Sequence, residues 1–305
     1  MTRFTLKQLR YFVALAQHRH FGRAAAACSI SQPALSVQIK ELEETLGISL
    51  FERGARQLRL TTIGDALLLR AQDILKATDE FSDLARASRS EALDRLRIGV
   101  IPTIAPYLLP TLIGNLTHLH PGLDLHVRET LTPKLLLELS EGKIDAAIVA
   151  LPVSEPSFTE TPLFDEDFVL VRHRNDHGMP VPDGSDLRKM RLLLLEEGHC
   201  FRDQALSFCN VQSDLPREGL DGSSLTTLVQ MVAAGIGVTL IPEMALDVET
   251  SSAKVSISRF ANVPPSRTIG MIWRKTNPLA ERFTHVAEVV RQSAENLRSA
   301  KFMGL

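Results

Sequence analysis

Cysteine is scarce in this chain: 305 residues contain three, an odd number. That excludes the even-numbered disulfide framework of a small secreted scaffold, so any disulfide here would be a functional event. Long hydrophobic runs are missing as well. No stretch reaches the roughly 20 apolar residues that a membrane-spanning helix needs, and the opening MTRFTLKQLR lacks the apolar core and small-residue cleavage site of an export signal. The expectation is a cytoplasmic protein. Compositional extremes are also absent, since 44% hydrophobic and 23% charged residues are ordinary for a globular chain. The length suits two or three domains of about 100 to 200 residues each.

A net charge of −2 conceals an asymmetry. Residues 1–60 hold nine Lys and Arg against four Asp and Glu, whereas the remainder holds 25 against 32. A small basic module on an acidic body suits an electrostatic search along DNA phosphates, although charge alone leaves a chance surface fluctuation open.

The basic module reads as helices. Leu9, Phe12, Val13 and Ala16 recur at helical spacing. His18, Arg19 and His20 interrupt the pattern, and an alanine-rich run from Phe21 to Cys28 predicts a short second helix. Ser31 can cap a third helix that tolerates Pro33 in its first turn. Leu35, Ile39, Leu42 and Leu46 share one stripe of that helix, and Gln32, Pro33, Ser36, Val37 and Lys40 share another. The second stripe carries the side chains that reach base edges and phosphates in a major groove, in a helix-turn-helix arrangement. A solvated face of an unrelated bundle would show the same spacing.

Residues 6–53, with FGRAA, SQPALS, IKELE and LGISLFER, resemble the amino-terminal winged helix-turn-helix of LysR-type regulators. The resemblance implies a double-stranded DNA partner. Arg53, Arg56 and Arg59 then fall in the wing, placed for phosphate contact. After Thr62 one long helix follows, with Leu67, Ala71, Ile74, Thr78, Phe81 and Ala85 spaced alternately four and three apart. Such a heptad seam predicts a partner helix and a homodimer, the alternative being packing within its own domain.

From Leu93 strands and helices alternate: LRIGVI, YLLPTLIGNLTHL, LDLHVRET, KLLLELSEGK, DAAIVAL, then DFVLVRH, RLLLLEEG, SSLTTLVQMVAAG, GVTLIPE and RTIGMIWRK. Alternation implies parallel sheet. The fold class expected is therefore α/β: a winged helix-turn-helix, a long linker helix, and a regulatory domain that, by the resemblance, is two-lobed like a periplasmic solute-binding protein. The expected boundaries are 1–61, 62–89 and 90–301, with a short tail at 302–305. The first lobe takes 90–162 and 269–301, and the second takes 163–268. A cleft between such lobes is where ligands bind in open α/β folds.

The cysteines differ in setting. Cys28 closes the alanine-rich helix and reads as packing. Cys200 and Cys209 lie in GHCFRDQALSFC, where His199 and Arg202 can favour the nucleophilic thiolate. Nine residues of helix would put their Cα atoms about 13 Å apart, beyond the roughly 4.4–6.8 Å that a disulfide spans. Pairing would require that segment to remodel. This stretch resembles the sensing segment of the peroxide-responsive members of the LysR type, which implies Cys200 as the residue attacked by hydrogen peroxide and Cys209 as the resolving thiol. The same resemblance implies peroxide-binding roles for Thr103, Thr132, His199, Asp203 and Arg267, and it implies RNA polymerase, glutaredoxin- or thioredoxin-type reductants and a homotetramer as partners. It implies no cofactor, no metal and no turnover activity. Thr103 as a helix cap, Asp203 as an ordinary first-turn charge and Arg267 as a surface residue are the plain alternatives.

Other functions fit parts of the chain. A LysR-type regulator answering an organic effector in the cleft would keep the DNA module. A thiol peroxidase would share the Cys200 chemistry without needing that module. Zinc held by His199, Cys200 and Cys209 lacks the close pairing usual in structural sites, and an exported solute-binding protein would need a signal.

Overall fold

A computed structural model describes residues 4–52, 58–87, 93–187, 190–208, 221–260 and 264–303, in two compact units, 1–89 and 90–305. In the first unit, helix α1 (Leu6–His18) starts in a capping box: the Thr5 hydroxyl accepts the Gln8 amide and the Gln8 side chain accepts the Thr5 amide. It stops at Arg19, which adopts the left-handed conformation. Helix α2 (Phe21–Ala27) is capped by His20, whose Nδ1 accepts the Gly22 and Arg23 amides. Helix α3 (Gln32–Leu46) is capped by Ser31 and ends at Gly47, with φ of 70°. Leu9, Phe12, Leu15, Ala24, Ala25, Leu35, Ile39 and Leu42 form their shared core, completed by Leu50 and Phe51. Phe51 and Leu60, either side of residues 53–57, form an antiparallel bridge. Arg53 and Arg56 lie outside the described residues.

Helix α4 (Thr62–Ala87) splits the expected seam into two parts. Ala71 is buried, and Leu67, Leu68 and Leu75 pack on the core of α1 to α3. The first half of the seam is therefore satisfied within its own unit, whereas Ile74 and Phe81 are exposed. The physical reason is the close entry of α4 beside Leu50: a Cβ on Gly64 would lie 2.2 Å from the Leu50 carbonyl oxygen. Gly64→Ala is expected to destabilise this unit by about 1–3 kcal/mol through overpacking. Gly114, a helical glycine in the second unit with open space around its Cβ position, should instead gain about 0.5–1 kcal/mol as alanine. Thermal unfolding of the full chain with each substitution checks both signs.

The second unit opens with three parallel strands separated by helices: β1 (Arg95–Val100), α5 (Ala105–Leu119), β2 (Asp124–Glu129), α6 (Thr132–Ser140) and β3 (Ala146–Leu151). There follow β4 (Phe158–His173), α7 (Gly184–Leu187), β5 (Leu194–Leu195), α8 (Cys200–Phe208), β6 (Asp221–Gly222), α9 (Leu225–Ala233), β7 (Thr239–Pro242), α10 (Leu246–Thr250), β8 (Val255–Ser258), β9 (Ser266–Arg274) and α11 (Ala280–Met303). Among the described residues the main sheet runs β2-β1-β3-β9-β4-β7, with β8 also on β4. The parallel sheet implied by the alternation holds for β1 to β3 and is corrected beyond them. β9 returns from late in the chain and pairs antiparallel with both β3 and β4, and β7 and β8 are antiparallel to β4. RLLLLEEG contributes the two-residue β5, parallel to β6, and a parallel bridge from Leu192 to Val238.

Two hydrophobic cores result. The first gathers β1, β3, β9 and the apolar face of α11, including Ile98, Ile148, Met271, Phe283 and Val290. The second gathers Phe168 to Val171 of β4, Leu193 to Leu195, Phe201, Leu228 and Ile241. Tyr107 of α5 is buried in the second core rather than the first, and its hydroxyl donates to Glu249 Oε1 at 2.7 Å.

Candidate functional site

The segment around Cys200 is shaped by Gly198, whose φ of 93° is open to glycine and strained for other residues. A Cβ there would also press Leu131 Cδ1 at 3.1 Å, so the backbone of 198–200 lies against the loop that starts α6. Cys200 is then the first residue of α8, a free thiol, half-buried, with its side chain packed against the first core. An anion forming at this sulfur meets the partial positive charge of a helix N-terminus.

A cavity of about 350 Å³ adjoins this point, walled by Thr103, Tyr107, Glu129, Leu131, His199, Ser224 and Glu249 among others. Of the five expected peroxide-binding residues, the cavity brings together Thr103 and His199. Burial pushes the His199 imidazole below its ordinary pKa, and the opposing pull of Glu196 is weaker. The imidazole is thus neutral around pH 7 and able to accept or donate a hydrogen bond. Burial of a neutral base carries a sign for stability. The unfolded chain takes up a proton as pH falls through its ordinary value near 6.5, while the folded chain resists, so stability is complete above that pH and declines below it. His199→Gln is expected to flatten the loss of thermal stability between pH 7.5 and 5.5 relative to the parent, and superimposable profiles would sink the assignment.

Thr103 is held from behind by Arg267. The guanidinium donates through Nη1 to Thr103 Oγ1 at 2.7 Å and through Nη2 to its carbonyl oxygen at 3.0 Å, and through Nε and Nη2 to Glu166 Oε2 at 2.9 and 2.7 Å. Because Thr103 Oγ1 accepts from Arg267, its own proton is left to donate elsewhere. The Arg267 side chain is 0% exposed and that of Glu166 is 2% exposed. The plain alternatives for these two residues therefore fail: Thr103 caps no helix, since α5 has no side-chain cap, and Arg267 is fully interior. Phe168 and Phe201 close over the guanidinium at 5.9 and 5.6 Å from ring centroid to Cζ.

Thr132 begins α6 immediately after Leu131, and its Oγ1 is buried without a partner among the described residues. Such an orphan costs about 1–3 kcal/mol unless a small polar molecule completes it. Asp203 is exposed on the first turn of α8 and absent from the cavity wall. Arg202, expected beside the thiol, instead donates to the Leu195 carbonyl at 2.8 Å and pairs with Asp221 at 3.0 Å, tying α8 to β5 and β6. Cys209 lies outside the described residues. Among the described residues no group of three or more His, Cys, Asp and Glu converges to hold a metal ion, and no helix is long and apolar enough to cross a membrane.

In the first unit, Gln32, Pro33, Ser36, Val37 and Lys40 all lie exposed on α3, with Val37 at 54%, opposite the buried Leu35, Ile39 and Leu42. A large apolar Val left on a polar face is what contact with a thymine methyl uses. Gln32 and Arg59 also share a groove of about 920 Å³ with Arg19, His20 and Arg23.

Residues 6–65 match the bacterial regulatory helix-turn-helix protein, lysR family, and residues 89–295 match the LysR substrate binding domain. The chain belongs to the LysR family. Within that family it is 42% identical over 298 residues to a probable hydrogen peroxide-inducible genes activator of Streptomyces viridosporus, spanning 96% of this chain and 95% of that one. It is 39% identical over 291 residues to the DNA-binding transcriptional dual regulator OxyR of Escherichia coli K12, spanning 94% of each chain. A solved full-length OxyR variant from Pseudomonas aeruginosa superposes with a TM-score of 0.74 at 37% identity, covering 95% of this chain and 96% of that one. For this LysR protein the sequence reading left out Glu166, the carboxylate that neutralises Arg267, and the ring pair around it. It also left out Arg19, His20 and Arg23 in the basic groove. The HRH break between the first two helices was their only local signal.

Proposed function

We propose that this LysR protein is a hydrogen peroxide-sensing, DNA-binding transcription regulator of the OxyR kind. The observation that carries this is the free Cys200 thiol at the start of α8, next in the chain to the neutral His199, which lines a cavity together with Thr103. Cys200 thiolate attacks one peroxide oxygen: an S–O bond forms, the O–O bond breaks, and the leaving hydroxide is protonated to water. Thr103, His199 and the orphaned Thr132 hydroxyl supply hydrogen bonds to the two oxygens as charge develops. Arg267 acts through Thr103 by fixing which way its proton points, and Asp203 contributes at most from the exposed side of α8. Cys209 thiolate then attacks the sulfenic sulfur, forming the S–S bond and releasing the second oxygen as water. One peroxide is consumed per switching event. Two reducing equivalents from a glutaredoxin- or thioredoxin-type thiol restore the dithiol.

The remaining roles follow the domain plan. Residues 1–61 read DNA with Gln32, Pro33, Ser36, Val37 and Lys40 on α3 and with Arg53, Arg56 and Arg59 on the wing. The exposed Ile74 and Phe81 of the 62–89 linker pair two chains, and contacts between 90–301 regions extend the dimer to a homotetramer. Oxidation re-angles the DNA-reading helices and changes recruitment of RNA polymerase in the cytoplasm. Intact mass before and after one equivalent of peroxide provides the test. Loss of two hydrogens, mapped to a peptide spanning 200–209, is expected. A stable mass, or oxygen addition without hydrogen loss, removes the disulfide from the scheme. An organic effector in the cleft is the second reading, favoured by the Glu249 carboxylate in the wall of the cavity.

A further inference from the structure

Consecutive residues at the start of α8 are inserted into opposite cores. Cys200 packs against the first core, whereas Phe201 is a member of the second, where it is 2% exposed. The Phe201 ring meets Phe168 edge-on, with centroids 4.7 Å apart and planes at 63°, and it lies 5.6 Å from the Arg267 guanidinium carbon. Arg267 is itself immobilised by Glu166 and Thr103. One residue after the reactive sulfur, the chain is therefore anchored into a rigid, fully interior charge and ring cluster. Cys200 cannot leave its place by side-chain rotation alone and reach a thiol nine positions further on. α8 runs on to Phe208, about 12 Å away along the helix, so the bond needs this helix to unwind, and any displacement of the Cys200 Cα carries Phe201 with it through a trans peptide unit of fixed length.

We infer that Phe201 is the positioning residue that holds Cys200 in the dithiol state, and that its seat between Phe168 and Arg267 sets the redox potential of the Cys200–Cys209 couple. This rests on the pairing of those two cysteines proposed above. Interactions made by Phe201 in the dithiol form and lost in the disulfide form weigh against oxidation, as a linkage between packing and the thiol–disulfide equilibrium. Weakening the seat makes the disulfide easier to keep and harder to reduce. Phe201 is absent from the cavity wall, so its role is read from the position of the equilibrium and not from the rate of the first step.

The full-length chain is equilibrated in glutathione buffers of graded potential, and the disulfide fraction is read by mass. Phe201→Ala is expected to shift the equilibrium toward disulfide at least about tenfold, equal to a midpoint about 30 mV more negative. Phe201→Leu, which keeps apolar bulk without the ring, should shift it less, and Phe168→Leu should shift it in the same direction from a different element, β4. Thermal unfolding of each dithiol form, followed by circular dichroism, checks that the second unit is folded, and if Phe201→Ala fails that check the two leucine variants carry the test. An unmoved midpoint, or one shifted toward easier reduction, overturns the anchoring role while the sensing reading stands. A parent chain that forms no 200–209 disulfide in any buffer overturns both.

Discussion

Replacing Cys200 with Ser is expected to abolish the peroxide-dependent change in the DNA footprint entirely, while the footprint of the untreated protein is retained. The asymmetry follows from where the residue sits. Cys200 contributes one half-buried sulfur to the edge of a large core, and exchanging sulfur for a hydroxyl changes little volume. The DNA-reading face of α3 is carried by a separate compact unit with its own core. Chemistry, in contrast, is all-or-none, since a hydroxyl is not a nucleophile toward peroxide at neutral pH and cannot form a sulfenic acid. A variant that still shifts its footprint with peroxide would transfer the sensing role to another residue. One that loses DNA binding without oxidant would show that Cys200 is structural.

Glu166→Ala should be the most destabilising single change at the site, costing about 3–5 kcal/mol, because it leaves a charged guanidinium buried without its counter-ion. The size of the effect comes from burial: Arg267 and Glu166 side chains are 0% and 2% exposed. The exposed Arg70–Asp73 pair, at 79% and 66%, should lose no more than about 1 kcal/mol on Asp73→Ala. Adding Arg267→Met to Glu166→Ala should recover part of the loss, since the unpaired charge is gone. Recovery is incomplete because Thr103 loses both hydrogen bonds from Arg267 and the Met244 amide loses Glu166 Oε1. Urea midpoints of the full chain measure all four proteins. In the double variant peroxide oxidation of Cys200 should also slow, because the Thr103 hydroxyl is no longer oriented. A Glu166→Ala chain as stable as the parent would mean that the guanidinium reaches water.

The helical module was readable from sequence because its signals are local. Ser31, Pro33 and the Leu35, Ile39, Leu42 stripe each act within a few residues, and each is found doing so. The sheet was only half readable. Alternating strands and helices announce parallel neighbours such as β1 with β2 and β3, but nothing near Ser266 announces that β9 will pair antiparallel with strands far earlier in the chain. The site shows the same division. His199 and Cys200 stood out through each other, and Thr103 came from the family resemblance. Glu166 could not be found, since in the sequence it is one acid in FDEDF, and its role exists only once β4 and β9 lie side by side. Arg202 misled for the converse reason. Proximity in sequence suggested service to the thiol, whereas the fold offered it Asp221 and a free carbonyl instead.

The place of β9 between β3 and β4 also bears on how the chain is made. During synthesis the strands β1, β2 and β3 emerge from the ribosome early, yet the neighbour that completes their sheet is translated only after the whole second core has appeared. Until residue 274 is out, the apolar edge of β3 waits uncovered, at a stage when long-range pairing is slow and exposed strands are prone to aggregate. A nascent chain of this protein should depend on holding chaperones late in translation. A premature stop between β3 and β9 should yield an insoluble fragment, because the edge of β3 is then never covered.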